Sequence, residues 1–227
     1  MLFVTLMEKR KIGLIHTSPA AIAPLMRFYN DAAPELEITN QLDDGLLRLL
    51  ARGEHTLVER RLAEMLTIAV RTYGAELAMI TCSSVTKGMV ERLAPLFDLP
   101  ILKIDYPMAR EAVAGGRRRI GVAATFAPTV LPTSQLITEA AAEAGATIEI
   151  IREVVPGAYD ALLSGDDEAH DRLLCAGVER LAAGGVEVVV LAQISMARVL
   201  PRLEGKLAVP VLSSLHTSLS AIRGALA

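Results

Sequence analysis

The sequence contains no tryptophan and few aromatic residues of any kind, 4% in all, although 52% of its 227 residues are hydrophobic. Its core must therefore be aliphatic, built from Val, Ile, Leu and Ala, which suits parallel strands buried on both faces by helices. Cysteine is equally scarce, limited to Cys82 and Cys175. The two lie far apart and form no CxxC pair, which argues against a disulfide framework and fits a reducing, cytoplasmic location. No charge of one sign dominates: the net charge is −3, and the arginines are scattered among acids, unlike the clustered basic face of a nucleic-acid binder. No uninterrupted run reaches the ~18 apolar residues expected of a membrane span. The opening Met1–Lys11 has an apolar stretch too short for a signal core, and its basic residues follow rather than precede it. These absences leave a soluble chain long enough for one large domain or two small ones.

What is present is alternation. Short β-rich runs are predicted at Lys11–Ile15, Glu37–Asn40, Leu77–Ile80, Pro100–Lys103, Arg119–Ala123, Thr147–Arg152, Val186–Leu191 and Val209–Leu212. Between them lie stretches of helical period, His55–Thr72, Ser83–Leu93, Pro132–Ala144, Asp167–Ala183 and Ser214–Leu226, so the order is that of βαβ units in a parallel sheet. The pattern also repeats. Lys11-Ile-Gly-Leu-Ile-His-Thr returns as Arg119-Ile-Gly-Val-Ala-Ala-Thr, a shift of 108 positions that also relates Pro24 to Pro132. Gly74-Ala-Glu-Leu-Ala-Met-Ile-Thr-Cys-Ser-Ser aligns with Gly185-Val-Glu-Val-Val-Val-Leu-Ala-Gln-Ile-Ser at a shift of 111, which sets Cys82 against Gln193. The expected fold is α/β, with two pseudo-symmetric lobes, each a roughly four-stranded parallel sheet flanked by helices. The N-terminal lobe takes residues 1–104 and 213–227, the C-terminal lobe residues 105–212. Ligands in such sheets bind beyond the carboxyl ends of the strands, so a small-molecule site is expected between the lobes.

The residues just past the strands are rich in hydroxyls: Thr17 and Ser18 after His16, Ser83 and Ser84 after Cys82, then Asp105, Thr125, Gln193 and His216. Cys82 stands out because it follows an apolar run and precedes a helical pattern. That places it at or near a helix N-terminus, where unpaired N–H groups and the macrodipole favour a thiolate and first-turn amides can hold a carboxylate. Cys175, mid-helix on an apolar flank, reads as packing. The four histidines show no ligand spacing, so no metal site is expected. His55 and His170 fall in polar helical stretches and are expected in solvent, whereas His16 and His216, with Asp105, are candidates for a proton relay. Gly115-Gly116 precedes a strand rather than opening a helix after one, so no dinucleotide loop is expected.

Taken together, the doubled plan, Met79-Ile-Thr-Cys-Ser-Ser, Gly121-Val-Ala-Ala-Thr and Val188-Val-Val-Leu-Ala-Gln-Ile-Ser-Met resemble the aspartate/glutamate/hydantoin racemase superfamily across essentially the whole chain. The resemblance implies a cofactor-independent enzyme that forms a homodimer. Two cysteines, one from each half, would flank a carbon next to a carboxylate; one removes its proton and the other returns one. Cys82 matches the first. The second follows a strand and a small residue in a pattern close to Leu-Gly-Cys-Ala-Gly-Met, where this chain reads Leu191-Ala-Gln-Ile-Ser-Met196, with Gln193 in the cysteine's place. A glutamine amide does not titrate; it can orient a ligand or stabilise an oxyanion. Two-cysteine racemisation is therefore not expected. The expectation is an isomerase-like enzyme acting by enolate or enediolate chemistry on a small carboxylate or hydroxycarbonyl compound. Cys82 would be the acid/base, and Thr17, Ser18, Ser83, Ser84, Thr125 and Gln193 would bind the substrate. A decarboxylase of the same superfamily and an inactive small-molecule binder are the alternatives.

Overall fold

The computed structural model describes residues 8–227, and the chain divides into two compact units. The first runs to Lys103 and takes in Ile222–Ala227; the second is Ile104–Ala221.

The first unit holds β1 (Arg10–His16), α1 (Ile22–Ala32), β2 (Leu36–Leu42), α2 (Leu46–Ala51), α3 (His55–Arg71), β3 (Leu77–Ile80), α4 (Lys87–Leu93) and β4 (Ile101–Lys103). Its four strands are all parallel, in the order β2-β1-β3-β4. Every residue of β3 is buried, as expected of a strand covered on both faces. Ala78 and Ile80 point into a cluster with Leu62, Met65 and Leu66 of α3 and Met89 of α4. From the other residues of β3, Met79 lies under Tyr29 of α1, whose hydroxyl reaches its sulfur at 3.9 Å. Gly13 is needed where β1 meets α3: a Cβ there would stand 2.8 Å from Ala69 Cβ.

The second unit holds α5 (Tyr106–Val113), β5 (Arg119–Ala124), α6 (Val130–Glu143), β6 (Glu149–Val154), α7 (Ala158–Leu163), α8 (Asp167–Ala183), β7 (Val188–Leu191), α9 (Leu200–Leu203), β8 (Val211–Ser213) and most of α10 (Ser214–Leu226). Its sheet, again parallel, has the order β6-β5-β7-β8, the same as the first when strands are counted from the start of each unit. Period-two alternation splits its core. Ile120, Val122, Val188 and Val190 face α5 and α6, while Ala123, Val189 and Leu191 face α8 and the turns after β7.

The repeat shifts reappear in the strand register. Gly13 pairs with Ala78, and Gly121, 108 positions on, pairs with Val189, 111 positions on. The strands fall where the sequence sets them to within about two residues at each end, and His55–Arg71, Asp167–Ala183 and Ser214–Leu226 follow the helical patterns closely.

One boundary differs in a way that matters: the helix after Cys82 begins at Lys87, not Ser83. Residues Ser83-Ser84-Val85-Thr86 form a turn, and Thr86 is the N-cap, its hydroxyl accepting from Met89 N–H at 3.3 Å. Hydroxyl side chains compete for backbone donors and so favour turns and caps over helix interiors. Cys82 therefore lies in a strand-to-turn segment, not at a helix N-terminus, and the expected macrodipole effect on it does not apply.

Candidate active site

In each unit the strand ends bring a threonine beside the residue that the repeat singled out. Ile15 pairs with Ile80 across β1 and β3, so Thr17 and Cys82 both lie two residues past that rung. Ala123 pairs with Leu191 across β5 and β7, so Thr125 and Gln193 hold the same places in the second unit. Cys82 and Gln193 are equivalent by register as well as by sequence shift.

Around Cys82 the first unit is polar on the backbone side and apolar on the other. The residue retains 7% of its surface and packs in the cluster that contains Ile80, Val85 and Met89. Its carbonyl oxygen, with that of Ser83, accepts from the ammonium of Lys103, each at 3.5 Å. Lys103 is itself buried at the end of β4. In the sequence the signal for this lysine is a charged residue closing the apolar run Ile101-Leu102, where a parallel strand end faces the ligand side. Thr17 is buried, Ser83 half-buried and Ser84 exposed. Ser18 caps the turn Pro19–Ala21, its hydroxyl accepting from Ala20 N–H at 3.3 Å.

His16 is committed inside this unit. It is 0% exposed, with Nε2 2.9 Å from Asn40 Oδ1 and Nδ1 2.7 Å from Thr81 Oγ1. Asn40 Nδ2 in turn reaches Met26 Sδ at 3.2 Å, which turns the amide oxygen toward the ring. The Nε2–H tautomer satisfies this arrangement, and burial holds the imidazole below its ordinary pKa, only partly offset by Asn40. A ring with both nitrogens occupied serves the strand ends as a strut.

In the second unit Gln193 is a latch. Its side-chain oxygen accepts from Thr125 N–H at 2.8 Å, Thr125 Oγ1–H at 3.0 Å and Phe126 N–H at 3.1 Å. Three donors around one atom fix which end of the amide is oxygen. Phe126, 39% exposed, stacks on Tyr159 with ring centroids 4.7 Å apart. The segment that follows Gln193 is pinned to α8 by ion pairs. Arg198 meets Asp167 at 2.7 Å and Asp171 at 2.9 Å, and Arg202 meets Glu168 at 2.9 Å and Asp171 at 3.3 Å. Buried Asp171 also receives His170 Nδ1 at 2.9 Å. His170, expected in solvent, is 0% exposed. Asp171 partners its Nδ1 and is itself met by the two arginines, while Nε2 is buried with no hydrogen-bond partner among the described residues. His216 is exposed and has Nδ1 3.1 Å from Ser213 Oγ; Asp105 is buried at the N-cap of α5. Cys175 is half-buried among apolar neighbours, and burial, reinforced by Glu179, pushes its thiol pKa up.

A search of curated proteins by sequence finds no match. The sequence profile of the Asp/Glu/hydantoin racemase family, however, matches residues 52–222, the span that carries both Cys82 and Gln193. The chain belongs to that family. Solved structures agree on the fold of this racemase-family chain. An aspartate racemase homologue from Pyrococcus horikoshii is similar at a TM-score of 0.69 and 16% identity, covering 96% of this chain and 100% of the other. Allantoin racemase from Klebsiella pneumoniae is similar at 0.69 and 16%, covering 96% and 88%. An arylmalonate decarboxylase is similar at 0.58 and 16%, covering 95% and 92%. Identities this low establish architecture, so the chemistry rests on the residues themselves. No helix among the described residues is long and apolar enough to cross a membrane.

Proposed function

We propose that this family member is an isomerase-like enzyme that moves a proton on a carbon next to a carboxylate or carbonyl, with Cys82 as the acid/base. In the forward step the C–H bond breaks, an S–H bond forms, and the freed electron pair moves onto the carbonyl oxygen as an enolate. The reverse step returns the proton from sulfur to carbon. No cofactor is needed for this exchange. Thr17, Ser18, Ser83, Ser84 and Thr125 are the candidate substrate-binding hydroxyls. Of the relay candidates, His16 has both ring nitrogens engaged within its own unit.

The observation that carries the reading is the unequal pair of strand ends, a thiol at Cys82 and a non-ionising amide at the equivalent Gln193. One titrating group supports proton exchange on one face of a carbon, and stereoinversion calls for a second. The test is solvent-deuterium incorporation into a panel of small carbon acids and ureides (aspartate, glutamate, allantoin and phenylmalonate), read by proton NMR. The reading predicts exchange into at least one of them that is lost in Cys82→Ser. No exchange into any, with wild type and variant indistinguishable, would count against it.

Two further readings have specific support. A single thiol suffices to protonate the enolate left by loss of carbon dioxide, and an arylmalonate decarboxylase shares the fold; release of carbon dioxide from phenylmalonate would identify that activity. The small exposed fraction of Cys82 also suits a binding protein without turnover. Ligand affinity unchanged in Cys82→Ala, with no reaction in either protein, would favour it.

A further inference from the structure

The turn after β5 presents three donors at one point: the amide and hydroxyl of Thr125 and the amide of Phe126. Convergent backbone N–H groups of this kind form concavities that hold an anionic oxygen. Here the occupant is an oxygen of the protein itself. Gln193 Oε1 accepts all three bonds at 2.8–3.1 Å, the lengths at which an amide oxygen is well held. The amide nitrogen at the other end of this side chain has no protein partner among the described residues, and it is not sealed from solvent. The first unit differs at the same register. Cys82 carries no oxygen to offer, and no side chain accepts from the amides of Thr17 or Ser18 among the described residues.

We infer that Gln193 is a specificity-determining plug: its amide oxygen fills the Thr125–Phe126 anion cradle and its NH2 group presents a donor in place of an anion receptor. The second unit then admits no carboxylate at this strand end and recognises a neutral oxygen, a carbonyl or hydroxyl, through Gln193 Nε2. The ligand group that follows at this strand end is an uncharged oxygen function, not a carboxylate. This last step rests on the reading of the strand ends as the ligand site; the plug itself does not. The plug is also held from behind. The segment after Gln193 is tied to α8 through Arg198 and Arg202 on Asp167, Glu168 and Asp171. An anion would have to displace a neutral acceptor that is already fully bonded and anchored on a short tether.

The test uses the full chain, uniformly labelled with nitrogen-15, and follows the Thr125 and Phe126 amide resonances during titration with sodium malonate. Three proteins are compared: wild type, Gln193→Ala, which empties the cradle, and Gln193→Glu, which keeps an oxygen in it. The expected result is a saturable shift of both amides in Gln193→Ala, with wild type and Gln193→Glu at least tenfold weaker. Equal affinity in wild type and Gln193→Ala would overturn the plug, and so would the absence of any malonate-dependent shift in folded Gln193→Ala. Repeating the series in a Cys82→Ala background separates this from the chemistry. The plug predicts the same shifts there, whether or not Cys82 exchanges protons.

Discussion

The side-chain oxygen of Gln193 accepts both the amide and the hydroxyl of Thr125, at 2.8 and 3.0 Å. Phe126 N–H adds a third bond to the same atom, so one side chain joins the turn after β5 to the turn after β7. Net contributions of roughly 0.5–1.5 kcal/mol per hydrogen bond, reduced because the freed donors can reach water, predict that Gln193→Ala loses about 1–2 kcal/mol in urea unfolding. Gln193→Glu should retain most of that stability, since a carboxylate oxygen can accept the same three donors with charge assistance. An Ala variant as stable as wild type would show that the latch contributes nothing.

Asp171 ties the segment behind Gln193 to α8 and is the shared acceptor of His170, Arg198 and Arg202. Removing one member of a buried charge group leaves the others unsatisfied and costs about 3–5 kcal/mol when all are sealed from water. The two guanidiniums are partly exposed, which lowers the expectation for Asp171→Ala to about 2 kcal/mol. The same variant should broaden or shift the Thr125 amide signal, because the latch loses its anchor. Unfolding and amide spectra together check both parts.

Acidification should weaken the first unit through His16. Burial lowers its folded-state pKa below the ordinary 6.5, so below that pH the unfolded chain takes up a proton that the native protein refuses. Stability contributed by the neutral ring is present above about 6.5 and falls as the pH drops from there toward the lowered folded value. The loss is about 1.4 kcal/mol for each unit of depression. His16→Gln should flatten this part of the pH–stability curve, though less stable at neutral pH. Parallel curves for wild type and variant between pH 7 and 5 would contradict the account.

Gly13→Ala should be destabilising by about 1–3 kcal/mol, the range for overpacking a tight core. The added methyl would meet Ala69 Cβ at 2.8 Å, and neither a strand backbone nor a helix Cβ can swing aside. Gly53→Ala, in open space but at φ 73°, is a useful contrast, because its cost is conformational rather than steric. Thermal unfolding of the two variants distinguishes crowding from backbone strain.

Much of this architecture was legible in the residues. Apolar runs such as Val188–Leu191, short and rich in valine, fit strands covered on both faces, and the 108- and 111-residue shifts survive as strand register. Less legible were features set by partners distant in sequence. His170 lies in a polar stretch, and nothing local indicates that it is buried or that its partner Asp171 is met by Arg198 and Arg202. The start of α4 is hard to read from spacing because Ser83 and Ser84 fit a helical pattern, while their hydroxyls favour a turn and Thr86 caps the helix that follows it. Ile22–Ala32 and Tyr106–Val113 are helices that the sequence marks less clearly; each carries a proline near its start, a position that helices tolerate. Gln193 was recognised as the residue standing in a cysteine's place. Its latch was hidden because the partners, Thr125 and Phe126, are 68 and 67 positions away.

The central claim is that one thiol, Cys82, exchanges a proton on carbon and that Gln193 cannot supply a second. It is tested most directly by incubating a single enantiomer of an exchanging substrate in deuterium oxide and measuring isotope content and configuration together. The account predicts deuterium incorporation with retained configuration in wild type and in Cys175→Ala, and none in Cys82→Ser. Loss of configuration at the same rate as deuterium uptake in wild type, or exchange that persists without the Cys82 thiol, would contradict it.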